Sequence, residues 1–400
     1  MNEQLIVKNF GPIKDATVDF KRVTVFIGPT GGGKSTLAKL AAICKDSYLV
    51  INENNIETEL LKSYALENYI NNTSSFRWLD GEDELIFQGN LKFDASQKKN
   101  NYFTKFINSV KQDLLHTEDF SSKLKVYAEI RNQTKDSDKN EKVIALAQEL
   151  MGMLIAKTSL SQAQYVPSDR AFVTSINSSF AGLMRDDIGL SKPLLDFTNA
   201  YIQSRDKIEH LEINFLGIDY FRHDNKDYIS SLTDAKRNAL LLSETASGIQ
   251  SVTPLLVLLE HLSRNTEQAQ SFIIEEPELN LYPTAQQGLL NWLVEKCTQG
   301  ENDLTITTHS PYILSSCNLL LEAYKVAQLR PDLEDEIAAI VPKACWLNPD
   351  EFAAYYVADG TVTPITDERT HLIGGNELDA VSGDISDSFR KLLRLKKQAV

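Results

Sequence analysis

The sequence predicts an α/β fold, a mixed sheet with an antiparallel part at its N-terminal end, and three stretches carry that prediction. Val23-Thr24-Val25-Phe26-Ile27 runs into Gly28-Pro29-Thr30-Gly31-Gly32-Gly33-Lys34-Ser35. Ser271-Phe272-Ile273-Ile274 runs into Glu275-Glu276-Pro277-Glu278, and Leu304-Thr305-Ile306-Thr307-Thr308 runs into His309-Ser310-Pro311. Runs of this kind suit parallel strands covered on both faces. In open α/β sheets ligands gather outside the carboxyl ends of such strands.

The first stretch has the P-loop spacing G-x-x-x-x-G-K-[ST] and leads into a helical pattern, Thr36-Leu37-Ala38-Lys39-Leu40-Ala41-Ala42. Glycines let backbone N–H groups turn inward onto phosphate oxygens, and the helix N-terminus adds its dipole. Lys34 is expected to reach the β- and γ-phosphates and the Ser35 hydroxyl to ligate Mg²⁺. A nucleoside triphosphate and Mg²⁺ are therefore expected, with Gly28, Pro29, Thr30, Gly31, Gly32, Gly33, Lys34, Ser35 and Thr36 around the nucleotide. The strand before the loop and the helix after it set this apart from an ordinary glycine-rich turn.

The second stretch is an apolar strand ending in carboxylates, as a Walker B site requires. Glu275 is assigned to the metal and Glu276 to the attacking water, as general base or water positioner. His309, alone at the end of the third strand, reads as a γ-phosphate sensor, so Lys34, Glu276 and His309 form the expected catalytic set. Ser247-Gly248, at the start of the apolar helix 252–262, offers a hydroxyl and free N–H groups as a second anion-binding end. Pro254 is expected near that helix's first turn, where proline is tolerated.

Taken in order, residues 5–10 and 16–20 read as antiparallel strands about the breaker pair Gly11-Pro12. Residues 44–160 read as a largely helical insertion, with a short ribbon about Gly89-Asn90 and a polar connection at 134–140. Within it, Lys98, Lys99, Lys105 and Lys111 alternate with Tyr102, Phe103 and Phe106, which fits a solvated amphipathic helix better than a nucleic-acid face. A helix follows at 194–211, then strands at 211–217 and 228–232. The expected organisation is an N-terminal lobe over 1–43, the insertion over 44–160, a C-terminal lobe over 161–345 and a closing segment over 346–400.

Four hundred residues with 42% hydrophobic content and a net charge of −14 describe an ordinary globular chain. That acidity argues against nonspecific nucleic-acid binding over the whole surface, though a local basic groove stays open. Cys44, Cys297, Cys317 and Cys345 are scattered and read as reduced thiols of a cytoplasmic protein. The N-terminus lacks the features of a signal peptide, and no run approaches the ~18–20 apolar residues of a membrane span.

With these pieces in one order, the chain resembles the ABC-type ATPases of the SMC, recombination-repair and OLD group. It is most like the stand-alone ATPases of bacterial anti-phage systems, of the abortive-infection, Septu or PARIS kind. The matching residues are Ile6-Val7-Lys8-Asn9-Phe10-Gly11-Pro12-Ile13, the P-loop, Tyr165-Val166-Pro167-Ser168-Asp169-Arg170, Ser247-Gly248-Ile249-Gln250-Ser251, Ile274-Glu275-Glu276-Pro277-Glu278 and Thr308-His309-Ser310-Pro311-Tyr312. The tail from Tyr355-Tyr356-Val357 to Asp387-Ser388-Phe389-Arg390-Lys391-Leu392-Leu393 is also similar to that group's closing segment.

The resemblance implies an ABC-type P-loop ATPase head that pairs head-to-head with a second copy, or forms a higher oligomer of such dimers. Two ATPs would lie between the heads, with Ser247 and Gly248 on the partner's γ-phosphate as the ABC signature. Three departures stand out: Ile249 where transporters carry the second signature glycine, Glu275 where they carry aspartate, and Tyr282 where relatives often carry histidine. Gln164, or less well Gln88, would be the Q-loop glutamine. The tail leaves little room for a nuclease domain of the OLD kind. The expected function is an ATP-switched sensor and scaffold controlling a separately encoded effector, a nuclease or toxin, in anti-phage defence. The alternative is a DNA-binding repair or chromosome-handling ATPase whose basic tail, Arg390, Lys391, Arg394, Lys396 and Lys397, meets phosphates. No membrane partner is expected.

Overall fold

A computed structural model of the chain describes residues 3–45, 56–81, 83–89, 91–94, 162–175, 190–233, 238–264, 269–374 and 389–392. It opens on the expected hairpin, β1 (Glu3–Phe10) and β2 (Ile13–Phe20), with Leu5 opposite Val18 and Phe10 opposite Ile13. The P-loop strand β3 (Val23–Ile27) and helix α1 (Lys34–Lys45) follow.

In the described part of the segment expected to be a largely helical insertion, strands outnumber helices. After α2 (Ile56–Ser63) come three strands, β4 (Ser75–Asp80), β5 (Asp83–Gln88) and β6 (Leu91–Asp94). The last two form the expected ribbon about Gly89-Asn90. β4, which was not anticipated, pairs antiparallel with β1 from Glu3 opposite Asp80 to Lys8 opposite Ser75, so the ribbon extends the main sheet. Aromatic packing holds it there. Phe76 stacks on Phe87 at 4.9 Å, both meet Phe10 edge-on, and Trp78 leans on Phe20 at 5.2 Å. Alternation in Phe76-Arg77-Trp78 gives β4 one apolar face, which fixes its register against a half-covered edge. The lysine–aromatic stretch at 98–111 and the polar connection at 134–140 lie outside the described residues.

Strand β7 (Gln162–Val166) returns to the core, followed by a helical turn at Phe172–Ser175 and helix α3 (Lys192–Arg205). The latter ends earlier than its pattern suggested. A four-stranded antiparallel sheet comes next, β8 (His210–Ile213), β9 (Ile218–His223), β10 (Lys226–Ser231) and β11 (Leu240–Leu241), in spatial order 11-10-9-8. The single strand expected at 211–217 is cut short by a 3₁₀ turn at Asn214–Leu216, and β9 was not read at all. Buried Asp227 ties this sheet to α3, accepting hydrogen bonds from Tyr201, Arg205 and Tyr220.

The remainder is helix α4 (Ser247–Ser263), β12 (Gln270–Glu275), α5 (Pro283–Cys297), β13 (Asp303–Thr308), α6 (Pro311–Leu329), α7 (Glu334–Ile340), β14 (Phe352–Ala358) and β15 (Thr361–Pro364). Because α4 begins at Ser247, Pro254 sits inside the helix rather than near its first turn. Its missing N–H removes one hydrogen bond to the turn before it.

The main sheet has eleven strands in the order 6-5-4-1-2-15-14-3-13-12-7. Its N-terminal side is antiparallel, while β14, β3, β13, β12 and β7 run parallel. Period-two alternation divides the buried side chains between two faces. Val23, Val25, Ile27, Phe272, Ile274, Leu304 and Ile306 join one core with Leu255, Leu259, Leu289, Leu293, Leu314 and Leu321 of α4, α5 and α6. Phe26, Ile273, Tyr355 and Val357 join the other, with Leu37, Leu40 and Ala41 of α1 and the β1–β2 hairpin. Cover on both faces is why the parallel strands read as unbroken buried runs.

Candidate functional site

Strands β3, β13, β12 and β7 are neighbours whose carboxyl ends are flush: Ile27 pairs with Thr308, Thr307 with Glu275 and Ile274 with Val166. The P-loop, His309, the two acids and the Pro167–Arg170 segment therefore leave the sheet side by side. Lys34 Nζ lies 2.9 Å from the Gly28 carbonyl, 3.0 Å from that of Pro29 and 3.0 Å from His309 Nε2. His309 Nε2 is in turn 3.6 Å from Glu276 Oε1. The three expected catalytic side chains thus meet at one point.

An ammonium offers no lone pair, so His309 Nε2 is the acceptor and its imidazole is neutral there, with the proton on Nδ1. Burial first, and then the Lys34 charge, press the His309 pKa below the ordinary histidine value, with Glu276 opposing. Burial also lowers the Lys34 pKa, against the pull of Glu276, Glu275 and Glu278. A histidine depressed in the folded state resists protonation, so the fold loses stability as pH falls through the ordinary histidine range. In Lys34→Ala the His309 titration midpoint should rise, because a neighbouring positive charge is removed while Glu276 remains; an imidazole NMR titration reads this directly.

Close packing against β14 explains two of the P-loop glycines, Gly28 and Gly32. A Cβ on Gly28, whose φ is +152°, would lie 2.2 Å from the Val357 carbonyl oxygen, and one on Gly32 would lie 2.4 Å from the same oxygen. Strand β14 thus backs the loop and leaves no room for side chains there. Gly32→Ala should cost about 1–3 kcal/mol, as overpacking does, and weaken nucleotide binding. A thermal melt with a nucleotide titration would check both. Pro29, Thr30 and Ser35 are exposed, while Gly33 and Thr36 are buried at the start of α1.

Glu275 is 5% exposed, and its Oε1 has no hydrogen-bond donor among the described residues. The Tyr165 phenol lies close by; burial and this carboxylate hold its pKa far above the ordinary range. An orphaned buried carboxylate oxygen is costly, and a hard cation answers it. If the exposed Ser35 hydroxyl were the other protein donor, the pair would fit Mg²⁺, which takes few protein oxygens and completes its shell with phosphates and water.

Glu276 has φ +42°, a strained value for a side-chain-bearing residue, and its N–H donates to the Thr307 carbonyl at 2.8 Å. Two further residues shape this turn that sequence reasoning gave no role. Glu278, buried, accepts from the Thr308 hydroxyl at 2.5 Å and the His309 N–H at 3.1 Å, and burial raises its pKa. The third acid of Glu-Glu-Pro-Glu was the available signal. Arg170, fully buried, stands behind the turn; nothing in Pro167-Ser168-Asp169-Arg170 announces that burial.

Ser247 and Gly248 lie apart from this cluster. Ser247 is exposed at the first turn of α4, and Gly248 abuts the loop after β12, where a Cβ would lie 2.6 Å from the Asn280 carbonyl. Gly248 is therefore also required locally. Gln250 staples the same turn, donating to the Ser243 and Thr245 carbonyls at 3.0 and 2.7 Å. Tyr282 stands 76% exposed just before α5. The Gln164 amide reaches only the neighbouring Tyr165 carbonyl, at 3.5 Å, among the described residues, and Gln88 belongs to the β5 ribbon.

Residues 1–314 match the family model described as AAA ATPase domain. No curated protein matches. Among solved structures, the chain is similar to an Smc head domain from Pyrococcus furiosus, bound to the C-terminal domain of ScpA, at 9% identity and TM-score 0.37, covering 96% of this chain and 98% of that one. It is also similar to the SMC head domain from Thermotoga maritima, at 11% identity and TM-score 0.36, covering 92% and 100%. A third likeness is to the recombination mediator RecF, at 13% identity and TM-score 0.31, covering 90% and 97%.

Proposed function

The chain belongs to the AAA ATPase domain family, and from that premise we propose that it binds and hydrolyses ATP with Mg²⁺ at the carboxyl edge of β3, β13 and β12. The observation that carries the reading is the meeting of Lys34, His309 and Glu276 within 3.6 Å contacts, with the buried Glu275 carboxylate at the end of the neighbouring strand. Lys34 swings from the Gly28 and Pro29 carbonyls to the β- and γ-phosphates. Glu276 takes the proton of the attacking water, and neutral His309 orients the γ-phosphate. Ser35 and Glu275 would hold the cation, which would supply charge neutralisation on the phosphates.

On this reading two copies close head-to-head, with Ser247 at the exposed start of α4 facing the partner's γ-phosphate. The finer proposal, motivated by the order of motifs along the chain, is that ATP-driven closure of a cytoplasmic dimer restrains or releases a separate effector protein in anti-phage defence. A pull-down of tagged Glu276→Gln protein from its host tests it: a stoichiometric protein partner supports the proposal, and recovery of the chain alone contradicts it. The DNA-handling reading is favoured by exposed Arg390 and Lys391 on the turn at 389–392. It requires DNA stimulation of ATP hydrolysis that falls steeply with salt.

A further inference from the structure

Arg170 carries a full charge in the interior without a carboxylate in salt-bridge contact among the described residues. Its side chain instead spends every N–H on a backbone carbonyl. Nε donates to Ser251 at 3.1 Å. Nη1 donates to Pro167 at 3.3 Å and Glu275 at 2.7 Å, and Nη2 donates to Glu276 at 2.6 Å and Pro277 at 3.1 Å. Five donors meet five acceptors, which is the full capacity of a guanidinium. Three of those acceptors are consecutive residues of the turn that carries the acids. The fourth is on α4, one turn after Ser247 and Gly248, and the fifth starts the arginine's own segment.

That arrangement is more than filling. A buried cation is tolerated only where dipoles or charges compensate it. Here the carbonyls of Glu275, Glu276 and Pro277 are drawn to one side of their turn, where Glu276 has φ +42°. Pointing a carbonyl at the guanidinium fixes the peptide plane, and the plane fixes where the next side chain leaves. Burial depresses the Arg170 pKa only to about 10, with Glu278, Glu276 and Glu275 holding the proton on, so the brace stays charged at neutral pH.

We propose that Arg170 is a positioning residue for hydrolysis, which locks the Glu275–Glu276–Pro277 turn to the first turns of α4 and so couples movement at Ser247–Gly248 to the placing of the Glu276 carboxylate. The proposal rests on the reading of Glu276 as the residue that handles the water. Lysine keeps the charge at position 170 but cannot span five acceptors in three directions.

Arg170→Lys is expected to bind a non-hydrolysable ATP analogue within about threefold of wild type while kcat falls about 10²-fold, the cost of a small misplacement of a reacting group. Added to Glu276→Gln, it should slow turnover little further, because both act through one carboxylate. Independently of activity, hydrogen exchange of the Glu276, Glu278 and Leu279 amides should quicken in Arg170→Lys while those of 271–274 stay protected. Additive rate losses, or unchanged exchange at those three amides, would overturn the proposal. So would failure of both Arg170→Lys and Arg170→Gln to fold, which would make the residue one of stability alone. Normal turnover in Glu276→Gln alone, with quickened exchange in Arg170→Lys, would locate the failure in the assignment of the base and would remove the coupling to hydrolysis with it.

Discussion

Glu276→Gln should bind ATP as wild type does and hydrolyse it about 10²–10⁴-fold more slowly, the usual worth of a positioned general base. That corresponds to about 3–5.5 kcal/mol on the barrier. The amide is isosteric, so the turn held by the Thr307 carbonyl and by Arg170 should survive. What disappears is a proton acceptor. Glu275 and Glu278 are turned inward at 5% and 6% exposure, so neither is open to the attacking water. Phosphate release under single turnover, with nucleotide binding measured on the same samples, separates the two effects. A variant that turns over normally would place the base elsewhere.

Lys45→Ala should cost about 3–5 kcal/mol of folding stability, the range for breaking a buried ion pair by removing one partner. Lys45 Nζ lies 2.7 Å from Glu3 Oε2 and 2.8 Å from Asp303 Oδ1, its side chain is 1% exposed, and it sits 5.5 Å from the Phe20 ring centre. This one cation ties the end of α1 to β1 and β13, and its loss leaves the buried Asp303 and half-buried Glu3 carboxylates together. Lys45→Met with Glu3→Gln and Asp303→Asn should recover much of the loss, because no charge is then stranded. Urea unfolding of the single and triple variants measures the difference. The carboxylates outweigh burial and raise the Lys45 pKa above the ordinary lysine value. Its stabilising contribution is therefore whole below that value and is lost only as pH rises through the higher folded pKa.

What could be read from the sequence and what could not divide along a physical line. The P-loop, Glu275-Glu276 and His309 were legible because each is a local string, with a buried strand and the chemistry at its end. Parallel pairing then did the assembling. β4 escaped notice because its partner β1 lies far away in the chain and only the pairing gives it a place. The Lys45–Asp303 pair bridges 258 positions, so no spacing rule reveals it. Pro167-Ser168-Asp169-Arg170 shows no role for Arg170, since its acceptors are backbone carbonyls that any sequence supplies. Pro254 was misplaced because the helix starts at Ser247, earlier than the apolar run suggested, and Gly248 owes part of its identity to Asn280.

Whether the Lys34 cluster is an ATP site is tested most directly by one comparison. Wild-type protein and Lys34→Ala would be titrated with ATP and Mg²⁺, and phosphate release followed in the same solutions. Saturable binding and hydrolysis by the wild type, both lost in a folded Lys34→Ala, is the expected result. Undiminished hydrolysis by Lys34→Ala, or a wild-type chain that binds no ATP, would contradict it.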